Sequence, residues 1–148
     1  MRNALFLCTG NSCRSQMAEG WLRQLASDTY NAQSAGLEPS TLNPLAVESM
    51  REVGIDISGQ HSKDVVGFLG QHLPYLITVC DRARDRCPIF PGICFREHWP
   101  IDDPAQGEGT HDERMRDFCR VRDEIGARVR NFIEEHGEGT TMPQQRGA

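Results

Sequence analysis

An α/β fold, with a parallel sheet covered by helices on both faces, is the architecture this sequence predicts. Two observations carry that reading. Four strand-like apolar runs alternate with helical patterns along the 148 residues, the order of elements that builds parallel sheets. The first run also ends in a glycine-bearing turn, "CTGNSCRS" (8–15), which opens at once into a helix-periodic stretch. In sheets of this kind ligands sit at the carboxyl ends of the strands, where this turn lies.

The elements follow in order. "NALFL" (3–7) reads as a short buried strand and residues 15–27 as a helix. "YNAQSAG" (30–36) is a second strand ending in a turn at Ala35-Gly36. Asn43 as N-cap, Pro44 at the first helical position and Gly54 as C-cap frame the next helix. "SKDVVGFLGQHL" (62–73) is expected to be a helix softened by two glycines. "PYLITVC" (74–80) is a strand rich in β-branched residues, ending at Cys80. "DRARDRCP" is a short polar helix or turn stopped by Pro88, with its arginines and aspartates on a solvated face. "ICFREHW" (93–99) supplies the fourth strand, and the loop "PIDDPAQGEG" follows. Residues 111–137 form one long amphipathic helix whose Met115, Phe118, Val121, Ile125, Val129 and Ile133 recur at threes and fours, a core-packing stripe. A single domain over 1–137 is expected, with a mobile tail over 138–148 that has little to bury.

Composition narrows the function classes. A net charge of −5 argues against a nucleic-acid binder, while a local site on an acidic protein can still take a small anion. No apolar run approaches the roughly 20 residues of a membrane span. The opening "MRNALFLCTGNS" lacks the flanks of a signal peptide, so the expected location is the cytoplasm. Six cysteines (8, 13, 80, 87, 94 and 119) are many for such a chain. With no C-x-x-C pair a zinc site is a poor fit, and a secreted disulfide scaffold does not suit the expected core. Reactive thiols are the leading explanation, with Cys94 and Cys119 read as small buried hydrophobes.

Cys8 and Arg14 are separated by five residues, and Ser15 follows. A loop of that length can wrap a tetrahedral anion with backbone N–H groups, Thr9, Gly10, Asn11, Ser12, Cys13, Arg14 and Ser15 all contributing to the cradle. The helix behind it adds the positive end of its dipole. Arg14 can donate two parallel hydrogen bonds that a lysine could not imitate. The same donors are expected to lower the pKa of a Cys8 thiol, with Ser15 donating to its sulfur. Gly10 allows close backbone approach, and Asn11 can hold an unusual backbone angle. A nucleotide P-loop would need G-x4-G-K-[ST], which the chain lacks. The bland alternative is an ordinary strand-to-helix turn holding a buried cysteine, and Cys13 is read in that way, as a packed thiol.

"FLCTGNSCRSQMAEG" resembles the signature of the low-molecular-weight tyrosine phosphatase superfamily, specifically its arsenate reductase branch. The similarity continues through "SAGLEPSTLNPLAVESMREVGIDISGQHS", "ITVCDRARDRCPIFPG" and "HWPIDDPA" to "RVRDEI". It implies a three-layer fold with a four-stranded parallel sheet, Cys8 as nucleophile, Arg14 as oxyanion clamp, and arsenate as substrate with phosphate or sulfate as analogues. By similarity Asp103, before Pro104, is the general acid, and Asp102 its bystander. The aromatic residues that follow this Asp-Pro in the phosphatase branch are missing from "DPAQGEGT".

Cys80 and Cys87 separate the two branches. Reduction of arsenate needs two electrons, which a thiolate that has captured arsenic must receive from a second thiol. The resemblance implies that Cys80 attacks Cys8, expelling arsenite, and that Cys87 then attacks Cys80. The resulting disulfide awaits an external reductant, thioredoxin in the branch that carries two such cysteines. Glutathione with glutaredoxin, or mycothiol, could do the same chemistry. Relatives can also bind potassium near the anion loop, and Asn11, Glu19 and Ser34 match the positions concerned. His61 stands where a threonine is expected, so no metal is assigned. His98 and His111 read as surface or packing residues with nothing beside them to make a dyad. A tyrosine phosphatase using Cys8, Arg14 and Asp103 alone is the second reading, and a non-enzymatic oxyanion-binding regulator the third.

Overall fold

The computed structural model describes residues 1–92 and 95–136. Its strands β1 (Arg2–Cys8), β2 (Tyr30–Gly36), β3 (Tyr75–Thr78) and β4 (Phe95–His98) form one sheet in the order β2-β1-β3-β4, every pair parallel. The helices are α1 (Arg14–Ala26), α2 (Pro44–Arg51), α3 (Asp81–Asp85) and α4 (His111–His136). The fold is a three-layer α/β arrangement with helices flanking the sheet. Ala4, Leu5, Phe6 and Leu7 of β1 are fully buried, as a central parallel strand covered on both faces requires. β2 lies on one side of β1 and β3 on the other, so the direction of winding reverses at the carboxyl end of β1. That reversal leaves a crevice where a ligand can sit.

The helix ends follow their residues. The Asn43 side chain accepts the Leu45 N–H at 2.8 Å, with Pro44 at the first helical position. At the other end Gly54 takes φ +80°. Its N–H bonds the Arg51 carbonyl while the Ile55 N–H reaches back to Met50, a Schellman closure. Trp21 of α1 docks on α4, its indole N–H donating to the Arg122 carbonyl at 3.1 Å. A Cβ on Gly126 would lie 2.8 Å from that ring, and the Arg130 guanidinium covers it at 4.9 Å.

Two expectations fail here. Residues 62–73 hold no α-helix, only a 3₁₀ turn at Val65–Phe68 capped by Asp64. The start of this segment is tied elsewhere, because the Lys63 carbonyl accepts the Gly36 N–H at 2.8 Å and the Lys63 N–H donates to the Asn11 side chain. The buried stripe of α4 continues through Phe132 to His136, with Ile133 half-buried against its edge. Tyr30 and Tyr75 gather around the Phe132 ring at 5.4 and 5.2 Å, and this aromatic cluster decides which residue turns inward. The expected mobile tail over 138–148 and the Cys94 reading fall outside the described residues.

Candidate active site

The turn from Cys8 to Arg14 is held from outside. The Cys8, Thr9, Gly10 and Ser12 carbonyls accept the N–H groups of Leu37, Glu38, Ser40 and Asn43 at 3.1, 2.8, 3.0 and 3.0 Å. The Asn11 carbonyl takes the Gln16 amide and the Ser62 hydroxyl, and the Cys13 carbonyl takes Met17 N–H. A trans peptide sets its N–H opposite its C=O. Carbonyls fastened outward therefore turn the N–H groups of residues 9–14 toward the interior of the loop. The Asn11 N–H meets the Cys8 sulfur there at 3.2 Å. Such a ring of amides at the start of α1 has the form that suits a small anion.

Asn11 is the brace. It sits at φ +51°, a left-handed angle that asparagine tolerates better than most residues. Its Oδ1 accepts from the Lys63 N–H and the Gln16 amide, and its Nδ2 donates to Ser15 Oγ at 2.7 Å. Ser15 Oγ also lies 2.9 Å from Cys8 Sγ, and toward a Cys8 thiolate, which has no proton to give, the hydroxyl is the donor. Gly36 lets the loop approach β2, since a Cβ there would lie 2.7 Å from the Thr9 carbonyl oxygen and 3.0 Å from Asn11.

The expected fall in the Cys8 pKa is not what this environment produces. Burial pushes the Cys8 thiol up, outweighing the Ser15 hydroxyl, the Asn11 and Ser15 N–H groups and Arg14, all of which pull it down. The sulfur is sealed under the loop with only 3% of the residue exposed, so desolvation dominates. Burial pushes the Cys13 thiol up to about 11, with the Asp103 carboxylate and Cys8 adding to the rise. Cys13 is a packed, protonated thiol.

Arg14 reaches across to the loop after β4, donating to the Ile101 carbonyl at 2.9 Å and facing the Asp103 carboxylate at 3.7 Å. Asp103 also caps the 3₁₀ turn at Pro104–Gln106 by accepting the Ala105 N–H at 3.0 Å. Asp102 points away to pair with Arg120 at 3.6 Å and is 80% exposed. Position in space thus separates two aspartates that are adjacent in sequence.

Cys80 stands one residue past the last ladder bond of β3, in which the Val79 N–H meets the Leu7 carbonyl at 3.0 Å. Its sulfur lies 3.3 Å from the Thr9 hydroxyl of the anion loop and accepts the Ala83 N–H at the start of α3. Cys8, Cys13 and Cys80 are free thiols. Cys87 lies beyond the far end of α3, half-buried, its thiol donating to the Pro88 carbonyl at 3.4 Å. Along the chain α3 stands between it and Cys80. Cys119 is half-buried on α4 between Glu52 and Arg122 rather than sunk in the core, because the stripe of that helix places Phe118 inward in its stead.

The oxygens that could hold potassium are engaged by the protein itself. Glu19 is buried and pairs with the Lys63 ammonium at 3.6 Å and with the Arg23 guanidinium, and it accepts the Ser34 hydroxyl. Asn11 Oδ1 already has two donors. Two resident cations already offset the single negative charge of this carboxylate and would repel a third, so these residues as arranged do not fit a potassium ion. Among the described residues no cluster of three or more His, Cys, Asp or Glu could hold a metal, and no helix is long and apolar enough to cross a membrane.

Sequence reasoning missed the loop's outer supports, Gln16 and Ser62, whose spacing carries no motif. It also read His98 and His111 as having nothing beside them, whereas His98 meets Thr78 Oγ1 at 2.8 Å and Asp81 Oδ1 at 3.0 Å, and His111 meets Glu48 Oε2 at 3.2 Å. Those of His98 arise from the β3–β4 pairing, and no local signal announces them.

Comparison with known proteins gives this geometry its relatives. The family model described as low molecular weight phosphotyrosine protein phosphatase matches residues 3–141. An arsenate reductase of Bacillus licheniformis is 53% identical over 129 residues, spanning 87% of this chain and 93% of that protein. A solved arsenate reductase in the phosphate binding state superposes with a TM-score of 0.75 at 35% identity, covering 90% of this chain and 98% of the other. The Corynebacterium glutamicum thioredoxin-dependent arsenate reductase superposes at 0.69 with 28% identity, covering 90% of this chain and 61% of that one. With its loop, its sheet and these relatives in agreement, the chain belongs to the low molecular weight phosphotyrosine protein phosphatase family, within the arsenate reductase branch.

Proposed function

We infer that this protein reduces arsenate to arsenite through a relay of three thiols. The observation that carries the reading is the second thiol at the rim of the anion loop, Cys80 Sγ at 3.3 Å from the Thr9 hydroxyl. Phosphate-ester hydrolysis needs a nucleophile, a clamp and an acid, and has no use for such a group.

The Cys8 thiolate attacks arsenic(V) held by the loop amides and Arg14, and one arsenate oxygen leaves as water with a proton from Asp103. The Cys80 thiolate then attacks Cys8 Sγ. The electron pair of the sulfur–arsenic bond stays with arsenic, which departs as arsenite, and a Cys8–Cys80 disulfide forms. Two thiols have lost the two electrons that arsenic gained. The Cys87 thiolate next attacks Cys80 Sγ, freeing Cys8 and leaving Cys80–Cys87, an exchange with no net oxidation. A dithiol reductant, thioredoxin by analogy with the Corynebacterium relative, returns the two electrons. Such a relay suits a reducing compartment, which supports a cytoplasmic site of action.

Purified protein supplied with arsenate, thioredoxin, thioredoxin reductase and NADPH should produce arsenite over many turnovers. No arsenite there, with rapid phosphotyrosine hydrolysis, would replace this reading with the phosphatase one. The lack of aromatic residues after Asp103 favours the reductase, since nothing in "PAQGEGT" would flank a phenyl ring.

A further inference from the structure

His98 closes β4, and its ring lies between two residues of another segment. Nδ1 is 2.8 Å from the Thr78 hydroxyl and Nε2 is 3.0 Å from the Asp81 carboxylate. An ionised carboxylate only accepts, so in the neutral ring Nε2 carries the proton and Nδ1 accepts from Thr78. Thr78 is the last residue of β3 and Asp81 the first of α3. Between them stand only Val79 and Cys80. One imidazole therefore spans the Cys80 step from both ends. The Thr78 end is firm: that residue is 5% exposed, and its carbonyl accepts the Trp99 N–H at 2.8 Å. The Asp81 end is wetter, 72% exposed, with Arg84 also within 3.9 Å of the same oxygen.

Resting on the thiol relay inferred for this site, we propose that His98 is a positioning residue for it. The ring pins the residues on either side of Cys80, so that the Cys80 sulfur stays at the rim of the anion loop when α3 opens to admit Cys87. Exchange between Cys80 and Cys87 requires α3 to yield, and a chain pinned only at its far end would let Cys80 leave the loop with it. With Asp81 tied through His98 to the sheet, the release begins beyond Asp81. Cys87 travels to Cys80 instead of the reverse.

Full-length His98→Ala, His98→Gln and Thr78→Val proteins test this. A glutamine carbonyl and amide can replace the acceptor and the donor of the ring, and alanine can replace neither. In His98→Ala, amide exchange over residues 81–86 of the reduced protein should quicken by roughly tenfold, the scale of losing one charge-assisted hydrogen bond. Arsenate kcat should fall by a similar factor, with KM within about twofold because the anion loop is untouched. His98→Gln should recover most of both, and Thr78→Val should move both in the same direction as alanine. Unchanged kcat in the alanine variant, or a glutamine variant as impaired as alanine, overturns the proposal. The exchange measurement reads the pin without reference to turnover, so failure of the relay itself, seen as arsenate turnover surviving Cys80→Ser, is a separate result.

Discussion

The anion loop and α3, which carry the two halves of the inferred relay, are built on opposite principles. Every carbonyl from Cys8 to Cys13 has a fixed partner, Asn11 and Ser15 are fully buried, and Asn11 alone engages five residues, Cys8, Ser15, Gln16, Ser62 and Lys63. α3 is five residues long, buries only Ala83, and exposes its arginines and aspartates to water. The loop must meet an anion with donors already in place, because reorganising them during reaction would raise the barrier. The helix must yield. An intact helical path would hold the Cα atoms of Cys80 and Cys87 about 10 Å apart at 1.5 Å per residue, and a disulfide rarely spans more than about 7 Å. Rigidity and weakness stand side by side because Cys80 joins one to the other.

The sharpest way to break this division is to remove one sulfur at a time. Cys8→Ser should abolish both arsenate turnover and aryl phosphate hydrolysis. Cys80→Ser should lose arsenate turnover while still cleaving an activated aryl phosphate, which needs no second electron source. Sustained arsenite production by Cys80→Ser would show that loop and helix are not two halves of one reaction.

Arg14→Lys attacks the rigid half alone. A point charge matches only part of the planar fork, so phosphate binding should weaken and arsenate kcat/KM should fall by about 10²–10³, the usual cost of an oxyanion donor. The circular dichroism spectrum should be unchanged. Kinetics within about twofold of the parent would make Arg14 a tie between Ile101 and the start of α1 and nothing more.

Hydrogen exchange measures the contrast directly. Amides over 81–86 should exchange more slowly in reduced protein than in protein oxidised to Cys80–Cys87, whereas those of residues 9–14 should differ little between the two. Equal protection of α3 in both states would contradict the need for it to open.

The smallest effect sharpens the loop's electrostatics. The Ser15 hydroxyl is the strongest of the influences that pull the Cys8 pKa down against burial. Ser15→Ala should therefore raise that pKa further, moving the pH profile of Cys8 alkylation toward alkaline values. The reaction at pH 7 should slow by several-fold, approaching about tenfold if the profile moves by one pH unit. Burial raises the folded-state value above that of the unfolded chain, so the thiol's contribution to stability is complete at lower pH and is lost as pH rises through the folded value. Urea midpoints should fall with alkaline pH in the parent and less so in Cys8→Ser.

Much of this was written locally. Strand runs, the N-cap at Asn43, the αL glycine at 54 and the C-x5-R spacing act through neighbours a few residues away, so the sequence alone sufficed to predict a parallel sheet with its flanking helices, the one expected over 62–73 excepted, and to single out the turn from Cys8 to Arg14. Contacts between distant segments were beyond it. Lys63 ties its N–H to Asn11 of the loop and its carbonyl to Gly36 of β2, and residues 62–73 form no α-helix. Asp103 faces Arg14 while Asp102 faces outward. Lys63 and Arg23 take the carboxylate that potassium would need. Burial reverses the direction expected for Cys8, and the pairing of β3 with β4 sets His98 across Cys80. Helix signals and turn residues act over one or two turns of chain and can be read in a string. Desolvation and the competition for a lone pair depend on which remote groups the fold brings within a few ångströms, and that is decided only when the layers pack.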